Sequence, residues 1–170
     1  MLERFVPNEA VERLSQVELG DLRARGIKAI LLDLDNTITP WRSHDVPEDM
    51  AAWLEEAKRD FRVCIVSNTS KMKRLALLKE RLGIEGVGFA SKPWGFKRIA
   101  RELGLAPGET VVVGDQLITD VAGGNMIGAH SILVKPVSRD EFFGTKFVRA
   151  AESILFWLLK RRGLFVCPWR

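Results

Sequence analysis

Two aspartates separated by one residue follow the first apolar segment of the chain. Asp33 and Asp35 come directly after Lys28–Leu32, whose sequence is KAILL. In an extended strand, side chains two positions apart point to the same side, so the two carboxylates would share one face. Their repulsion and desolvation require a cation or a proton, which makes the pair a candidate functional site. The alternative is structural, with one aspartate in a cap or turn and the other solvated.

Three later apolar segments also end in polar residues. These are Ser67-Asn68-Thr69-Ser70, Lys92-Pro93, and Gly114-Asp115 with Asp120 five residues further on. Hydroxyl and backbone N–H groups between a strand and a helix can bind a phosphate, or can simply cap the helix. Asp115 adds a third carboxylate at a strand end, whereas a single lysine such as Lys92 in a loop is normally solvated.

Five short apolar runs alternate with longer segments that have helical spacing. The runs are Lys28–Leu32, Arg62–Val66, Gly86–Ala90, Thr110–Val113 and Ser131–Lys135. Continuous apolar strands joined by helices indicate a parallel sheet covered on both faces, and therefore a three-layer α/β protein. Helices are predicted from about Pro47, where Asp45 and Glu48 resemble a capping box, and over Lys71–Leu82, Phe96–Leu103, Thr119–Gly128 and Lys146–Arg161.

The polar strand ends converge if the sheet is doubly wound. In the strand order 3-2-1-4-5, the carboxyl ends of the first and fourth strands flank the crevice in which ligands bind. Asp33, Asp35 and Asp115 would then gather in one place, and three carboxylates suit a hard dication, above all Mg²⁺. Ser67 and Lys92 would arrive from the second and third strands as donors to an anion.

Taken in chain order, these motifs resemble those of the haloacid dehalogenase (HAD) superfamily of phosphatases. Asp33-x-Asp35-x-Thr37, Ser67-Asn68, Lys92-Pro93, and Gly114-Asp115 with Asp120 match its four motifs, within about residues 26–136. The segments GDQLITDVAGGN and FVPNEAV further resemble the YqeG group of HAD subfamily IIIA. That group is similar to the phosphatidylglycerophosphate phosphatases of mitochondria and plastids. The resemblance implies a Rossmann-like HAD fold with five parallel strands.

The resemblance also implies a role for each motif residue. Asp33 would be the nucleophile that forms an aspartyl-phosphate, and with a pKa near ~4 it would need no activating base. Asp35 would protonate the leaving group and then activate water. Mg²⁺ would be bound by Asp33, Asp115 and the backbone carbonyl of Asp35. Ser67, Asn68 and Lys92 would bind the phosphoryl group. Thr37 and Asp120 would support the site, with Asp120 orienting Lys92 or a metal-bound water.

The spacing of the motifs leaves little room for a lid domain. There are 29 residues between Thr37 and Ser67 and 23 between Asn68 and Lys92, and units below ~40 residues rarely sustain a core of their own. We therefore expect a single capless domain over residues 1–170, with helical extensions at both termini. An open site suits substrates that are large or held at a surface. A small metabolite fits if oligomerisation supplies a lid, and the sequence does not specify the oligomeric state.

The charge pattern is consistent with an anionic substrate. The 170 residues include 26 Lys+Arg and 22 Asp+Glu, which gives a net charge of +4. Nine of the basic residues lie within 71–110, where they could steer anions or simply be solvated. Trp41, Arg42 and His44, in the loop after the first motif, are candidate substrate contacts. Binding to nucleic acid is not indicated.

Cysteine usage and the termini predict a cytoplasmic protein. Cys64 and Cys167 are far apart and do not form a disulfide framework, which favours a reducing compartment. The N-terminus has no secretory signal pattern, and no apolar stretch approaches the ~18 residues of a membrane span.

The C-terminal segment offers two interpretations. An apolar run, Ile154–Leu159, is followed by Lys160-Arg161-Arg162. It could lie at an anionic membrane surface with Phe156 and Trp157 inserted, so that the protein is peripheral at the membrane. Alternatively, it packs on the sheet or on the N-terminal segment.

Three functions are compatible with the sequence. The first is a Mg²⁺-dependent phosphomonoesterase, with phosphatidylglycerophosphate as the leading substrate. The second is a phosphatase for a nucleic-acid end, a phosphoprotein or a small phosphate ester. The third is a non-catalytic HAD-fold binding module, against which the intact Asp33 and Asp35 argue.

Overall fold

The computed structural model describes residues 2–138, 140 and 143–170. Its strands are β1 (Glu9–Val11), β2 (Ala29–Leu32), β3 (Arg62–Val66), β4 (Glu85–Val87), β5 (Thr110–Gly114) and β6 (His130–Val134). They form one sheet in the order β1-β6-β5-β2-β3-β4, and every neighbouring pair is parallel. The α/β class is confirmed, and the five predicted strands lie in the predicted order.

The count of five strands was wrong, because β1 adds a sixth at the edge beside β6. Its three residues are too few to show the alternation that marks a strand in a sequence. β4 also ends earlier than predicted, at Val87 and not at Ala90. Phe89 and Ser91 both adopt a φ of 48°, a left-handed conformation that cannot continue a strand.

Helices cover both faces of the sheet. They are α1 (Leu19–Ala24), α2 (Glu48–Asp60), α3 (Met72–Leu82), α4 (Trp94–Glu102), α5 (Ala122–Ile127) and α6 (Phe143–Arg161). The predicted capping box does not form, because α2 begins without a side-chain cap and the Asp45 N–H donates to Ser43 Oγ at 2.9 Å.

Alternate residues of the central strand β2 pack into different hydrophobic clusters. Ile30 and Leu32 pack in the cluster that contains Leu54 of α2, whereas Leu31 packs in the cluster that contains Phe96 of α4. Because both faces are covered, the central strands β2 and β5 are buried along their whole length, and the motif aspartates come directly after them. The fold therefore concentrates polar side chains at the carboxyl edge of the sheet.

The chain inserts no lid domain beside this edge. Between Thr37 and Ser67 the only helix and strand are α2 and β3, and between Asn68 and Lys92 they are α3 and β4. The structure describes every residue of both intervals, so the predicted capless architecture holds there.

Candidate active site

Two of the motif aspartates lie side by side because β2 and β5 pair in register. Leu32 is opposite Val113, and the backbone N–H of Asp33 donates to the Val113 carbonyl at 2.9 Å. The two strands end together at this point. Asp33, after β2, and Asp115, after β5, therefore share one edge of the sheet.

A π-helical turn, Leu117–Val121, brings a third aspartate to the same place. Single π-helical turns occur often at functional sites. The Asp120 carboxylate accepts the Gln116 N–H at 3.1 Å and lies so close to Gly114 that a β-carbon there would collide with it. Glycine at position 114 thus makes room for the carboxylate.

Asp33, Asp115 and Asp120 form a buried cluster, with one oxygen from each lying within 4.8 Å of the others. The Lys92 ammonium donates to Asp33, and to Asp120 at 2.7 Å, and its side chain is 2% exposed. Burial opposes the charge on Lys92, but the carboxylates of Asp120 and Asp33 raise its pKa. The lysine that the sequence alone would leave solvated is therefore a buried cation of the site.

Burial also changes the acidity of the aspartates themselves. It raises the pKa of Asp33 to about 7, although the nearby Lys92 charge opposes the shift, and it raises the pKa of Asp115 well above its usual range. Sequence analysis assigned Asp33 an ordinary pKa near ~4, because spacing along the chain does not reveal this burial.

Two residues of α6 complete the cluster, and sequence analysis missed both. Arg149 donates to the Asp115 carboxylate, to the Asp115 carbonyl at 2.8 Å and to Glu152 at 3.0 Å. Glu152 is fully buried, and its other oxygen accepts the Ile118 N–H at 3.1 Å. Burial raises the pKa of the Glu152 carboxyl. The C-terminal helix is thus attached to the site by a buried ion pair.

The donor set fits a hard dication. Four buried carboxyl groups, those of Asp33, Asp115, Asp120 and Glu152, face the two cations Lys92 and Arg149. When all six groups are ionised, the four carboxylates carry two more negative charges than these two cations balance, counted over the described residues. A divalent cation would balance them, and carboxylate oxygens are the ligands that Mg²⁺ prefers.

Asp35 lies outside this cluster, in a separate ion pair. Its Oδ1 accepts from Arg74 Nη1 at 2.7 Å, and its side chain is 28% exposed, whereas that of Arg74 is 7% exposed. Arg74 also donates to the carbonyls of Ser43 at 2.8 Å and Pro40 at 3.3 Å. Arg74, another residue that sequence analysis missed, therefore connects α3 to the first-motif loop and orients the Asp35 carboxylate.

The other motif residues surround the cluster. Ser67 is 2% exposed, and its Oγ accepts the backbone N–H of Thr69 at 3.1 Å. The Asn68 side-chain oxygen accepts the Lys92 backbone N–H at 3.2 Å and so ties two motif loops together. Thr37 is fully buried, and its hydroxyl lies 3.5 Å from an Asp115 oxygen, at the limit of hydrogen bonding.

A cleft of about 410 Å³ opens onto these groups. Its lining contains five of the motif residues, namely Asp33, Asp35, Ser67, Asn68 and Lys92, together with Trp41, Arg42, Ser70, Lys71 and Arg74. Asp115, Asp120 and Thr37 are not among the lining residues. His44, also expected to be a substrate contact, does not line the cleft, and its carbonyl accepts from Arg81 at 2.7 Å.

The fold and the site together define a HAD-type phosphatase. The strand order matches that class. So do the residues that follow the strands: two aspartates after β2, a serine after β3, a lysine after β4 and an acidic turn after β5. The family model described as mitochondrial PGP phosphatase matches residues 2–138, and the chain belongs to this family.

Known proteins agree with this assignment. The chain is 40% identical over 167 residues to the probable phosphatase YqeG of Bacillus subtilis (strain 168), and the match covers 96% of each protein. It is 27% identical to phosphatidylglycerophosphate phosphatase 1, chloroplastic/mitochondrial, of Arabidopsis thaliana, over 94% of this chain and 49% of that protein. A putative HAD family hydrolase from Streptomyces avermitilis MA-4680 has the same fold, with a TM-score of 0.50, 20% identity, and coverage of 64% of this chain and 76% of that one.

Proposed function

We propose that this phosphatase hydrolyses phosphatidylglycerophosphate to phosphatidylglycerol through an aspartyl-phosphate on Asp33. The observation that carries the proposal is the placement of Asp33, Asp35 and Lys92 around one open cleft. Membership of the PGP phosphatase family supports the choice of substrate. The capless site supports it too, since a lipid head group can reach an uncovered cleft from a surface.

In the first step, a carboxylate oxygen of Asp33 attacks the phosphorus, and the bond from phosphorus to the leaving glycerol oxygen breaks. Asp35 gives a proton to that oxygen, so the product leaves as an alcohol. Lys92 holds the Asp33 carboxylate in place and offers positive charge to the phosphoryl oxygens. The Ser67 and Asn68 side of the cleft would bind the same oxygens.

In the second step, water attacks the phosphorus of the aspartyl-phosphate while Asp35 accepts a proton from it. The bond between phosphorus and the Asp33 oxygen breaks, which releases inorganic phosphate and restores the carboxylate. Mg²⁺ would be held by Asp33, Asp115 and the backbone carbonyl of Asp35, with Asp120 beside them. The ion would supply positive charge that offsets the repulsion between the carboxylate and the phosphate.

The substrate proposal is tested by phosphate release from phosphatidylglycerophosphate in mixed micelles, beside a panel of soluble phosphate esters. We expect the lipid to give the highest kcat/KM, and activity to require Mg²⁺ and to be lost with a chelator, because the acidic cluster would then keep uncompensated charge. A soluble ester that clearly surpasses the lipid would contradict the substrate proposal. Full activity in the presence of the chelator would contradict the proposed requirement for Mg²⁺.

We also propose that α6 contacts an anionic membrane surface. No helix among the described residues is long and apolar enough to cross a bilayer. Ile154 and Trp157 are 63% and 55% exposed, and the Arg161 guanidinium lies 5.2 Å from the Trp157 ring. Phe156, expected to insert as well, is half-buried and packs against Phe165, with their ring centroids 6.3 Å apart.

The other side of α6 packs on the protein, as the alternative interpretation stated. Leu155 and Leu159 are buried in a cluster with N-terminal residues, among them Phe5 and Val6. Truncation of the helix would therefore expose core residues, so point substitutions on its exposed side make the cleaner test.

Ile154→Ser with Trp157→Ser should weaken binding to phosphatidylglycerol vesicles by about tenfold or more, since each large apolar side chain that leaves water contributes ~1.5–3 kcal/mol. Vesicle co-sedimentation measures the effect. Leu77→Ser is the matched control, because Leu77 is also an exposed apolar residue but lies on α3, whose buried residues belong to a different core cluster from those of α6. Unchanged binding of the double variant would remove α6 from the membrane contact.

A further inference from the structure

Two basic side chains line the cleft without a carboxylate partner among the described residues. They are Arg42, in the loop after the first motif, and Lys71, immediately before α3. Lys92 and Arg74, the other cations of the cleft, are already bound to Asp33, Asp120 and Asp35. Arg42 and Lys71 therefore offer positive charge that the catalytic ion pairs do not use.

An aromatic ring holds these two cations on the same part of the cleft wall. The Arg42 guanidinium lies 4.1 Å from the centroid of the Trp41 ring, and the Lys71 ammonium lies 5.4 Å from it. Both distances are within the ~6 Å range of cation–π contact. The backbone of Arg42 has a φ of 64°, in the left-handed region that non-glycine residues rarely adopt.

We propose that Arg42 and Lys71 form a second anion subsite, which binds the phosphodiester of the lipid head group while Asp33 attacks the terminal monoester. The inference rests on the proposed function. Phosphatidylglycerophosphate carries one phosphate at each end of a single glycerol, so a protein that recognises it faces two anions a short distance apart. Lys92 and Ser67 would bind the oxygens of the reacting monoester, so the phosphodiester needs a separate partner.

The size of the cleft agrees with this division. A volume of about 410 Å³ lies in the ~300–1,000 Å³ range of small-ligand sites. It accommodates a glycerol with two phosphates but leaves the acyl chains outside. Specificity would then come from the distance between the two phosphates, because a simple phosphate monoester has no second phosphate.

The test compares Arg42→Gln, Lys71→Gln and the double variant on four compounds: phosphatidylglycerophosphate in micelles, glycerol 1,3-bisphosphate, glycerol 3-phosphate and an aryl phosphate. Each single variant should raise KM by about tenfold for the two compounds with two phosphates, since each variant loses a charge-assisted hydrogen bond to the second phosphate. Turnover of glycerol 3-phosphate and of the aryl phosphate should stay within about twofold of wild type. Arg59→Gln is the control, an exposed arginine at the end of α2, far from the cleft.

Each result decides the proposal. Equal losses on all four compounds would overturn it, because the two cations would then act on the monoester or on the structure. Losses confined to micelles would also overturn it, since the cations would then contact the lipid surface and not a phosphate of the head group. If wild type does not hydrolyse the lipid, the proposed function fails. The subsite is then judged by whether glycerol 1,3-bisphosphate inhibits aryl phosphate hydrolysis better than glycerol 3-phosphate does, and whether R42Q removes that advantage.

Discussion

Asp33→Asn is expected to abolish phosphate release from lipid and aryl substrates alike, with a loss on the order of 10³-fold or more. An amide at this position is a poor nucleophile toward phosphorus, and no other carboxylate among the described residues can take its place. Asp115 and Asp120 are absent from the cleft lining, and Asp35 is held by Arg74. Removal of the nucleophile should therefore end turnover for every leaving group.

Phosphate release measures the loss, and acid-quenched mass spectrometry should detect a phosphorylated Asp33 in wild type and none in the variant. Asp21→Asn, at an exposed aspartate of α1, is the matched control and should keep full activity. A thermal melt checks that the variant remains folded, since Asp33 is a partner of the buried Lys92. If the variant is folded and retains more than about a tenth of the wild-type rate, Asp33 is not the nucleophile.

Asp35→Asn is expected to lower turnover of phosphatidylglycerophosphate by about 10²–10⁴-fold, the usual contribution of a positioned acid or base. The loss should arise in both steps for the lipid, because its alkoxide leaving group requires a proton. An aryl oxide leaves readily without one, so an aryl phosphate should still phosphorylate Asp33 but release phosphate slowly. Rapid-quench kinetics should then show a burst of phenol followed by a slow steady state.

The burst distinguishes proton transfer by Asp35 from positioning of the substrate, which a steady-state rate alone would not distinguish. Equal slowing of the burst and the steady state would indicate that Asp35 positions the substrate and does not transfer protons. Asp21→Asn again serves as the control for loss of a carboxylate. Arg74 is buried and loses its carboxylate partner in this variant but keeps its hydrogen bonds to the Ser43 and Pro40 carbonyls, so a thermal melt checks that the variant remains folded.

Sequence patterns predicted the sheet and the motif residues because these depend on local properties. Four of the apolar runs correspond to strands within a residue or two, and the polar residues after three of them, Asp33, Ser67 and Asp115, lie at the carboxyl edge. A parallel α/β fold brings those edges together whatever the details of the packing. Asp33, Asp35, Ser67 and Lys92 therefore line one cleft, as their positions after successive strands indicated.

Arg74 and Glu152 show what the same reasoning missed. In each case a charged residue lies on the buried side of a helix: Arg74 is four residues before Leu78, and Glu152 is seven before Leu159. Helical periodicity could have identified both as charges placed among core residues. Their partners, 39 and 34 residues away in sequence, could not be found in this way, because they depend on how α3 and α6 pack.

The sequence by itself determined the fold class, the order of the five main strands and the set of residues that could do phosphoryl chemistry. Strand pattern and motif position are local properties of the chain. Only the tertiary structure decided that α6 joins the acidic cluster through Arg149, that Arg74 holds Asp35, and that burial raises the pKa of Asp33 to about 7. Ion pairing and desolvation depend on which distant side chains meet and on how much water they exclude, and neither can be read from spacing along the chain.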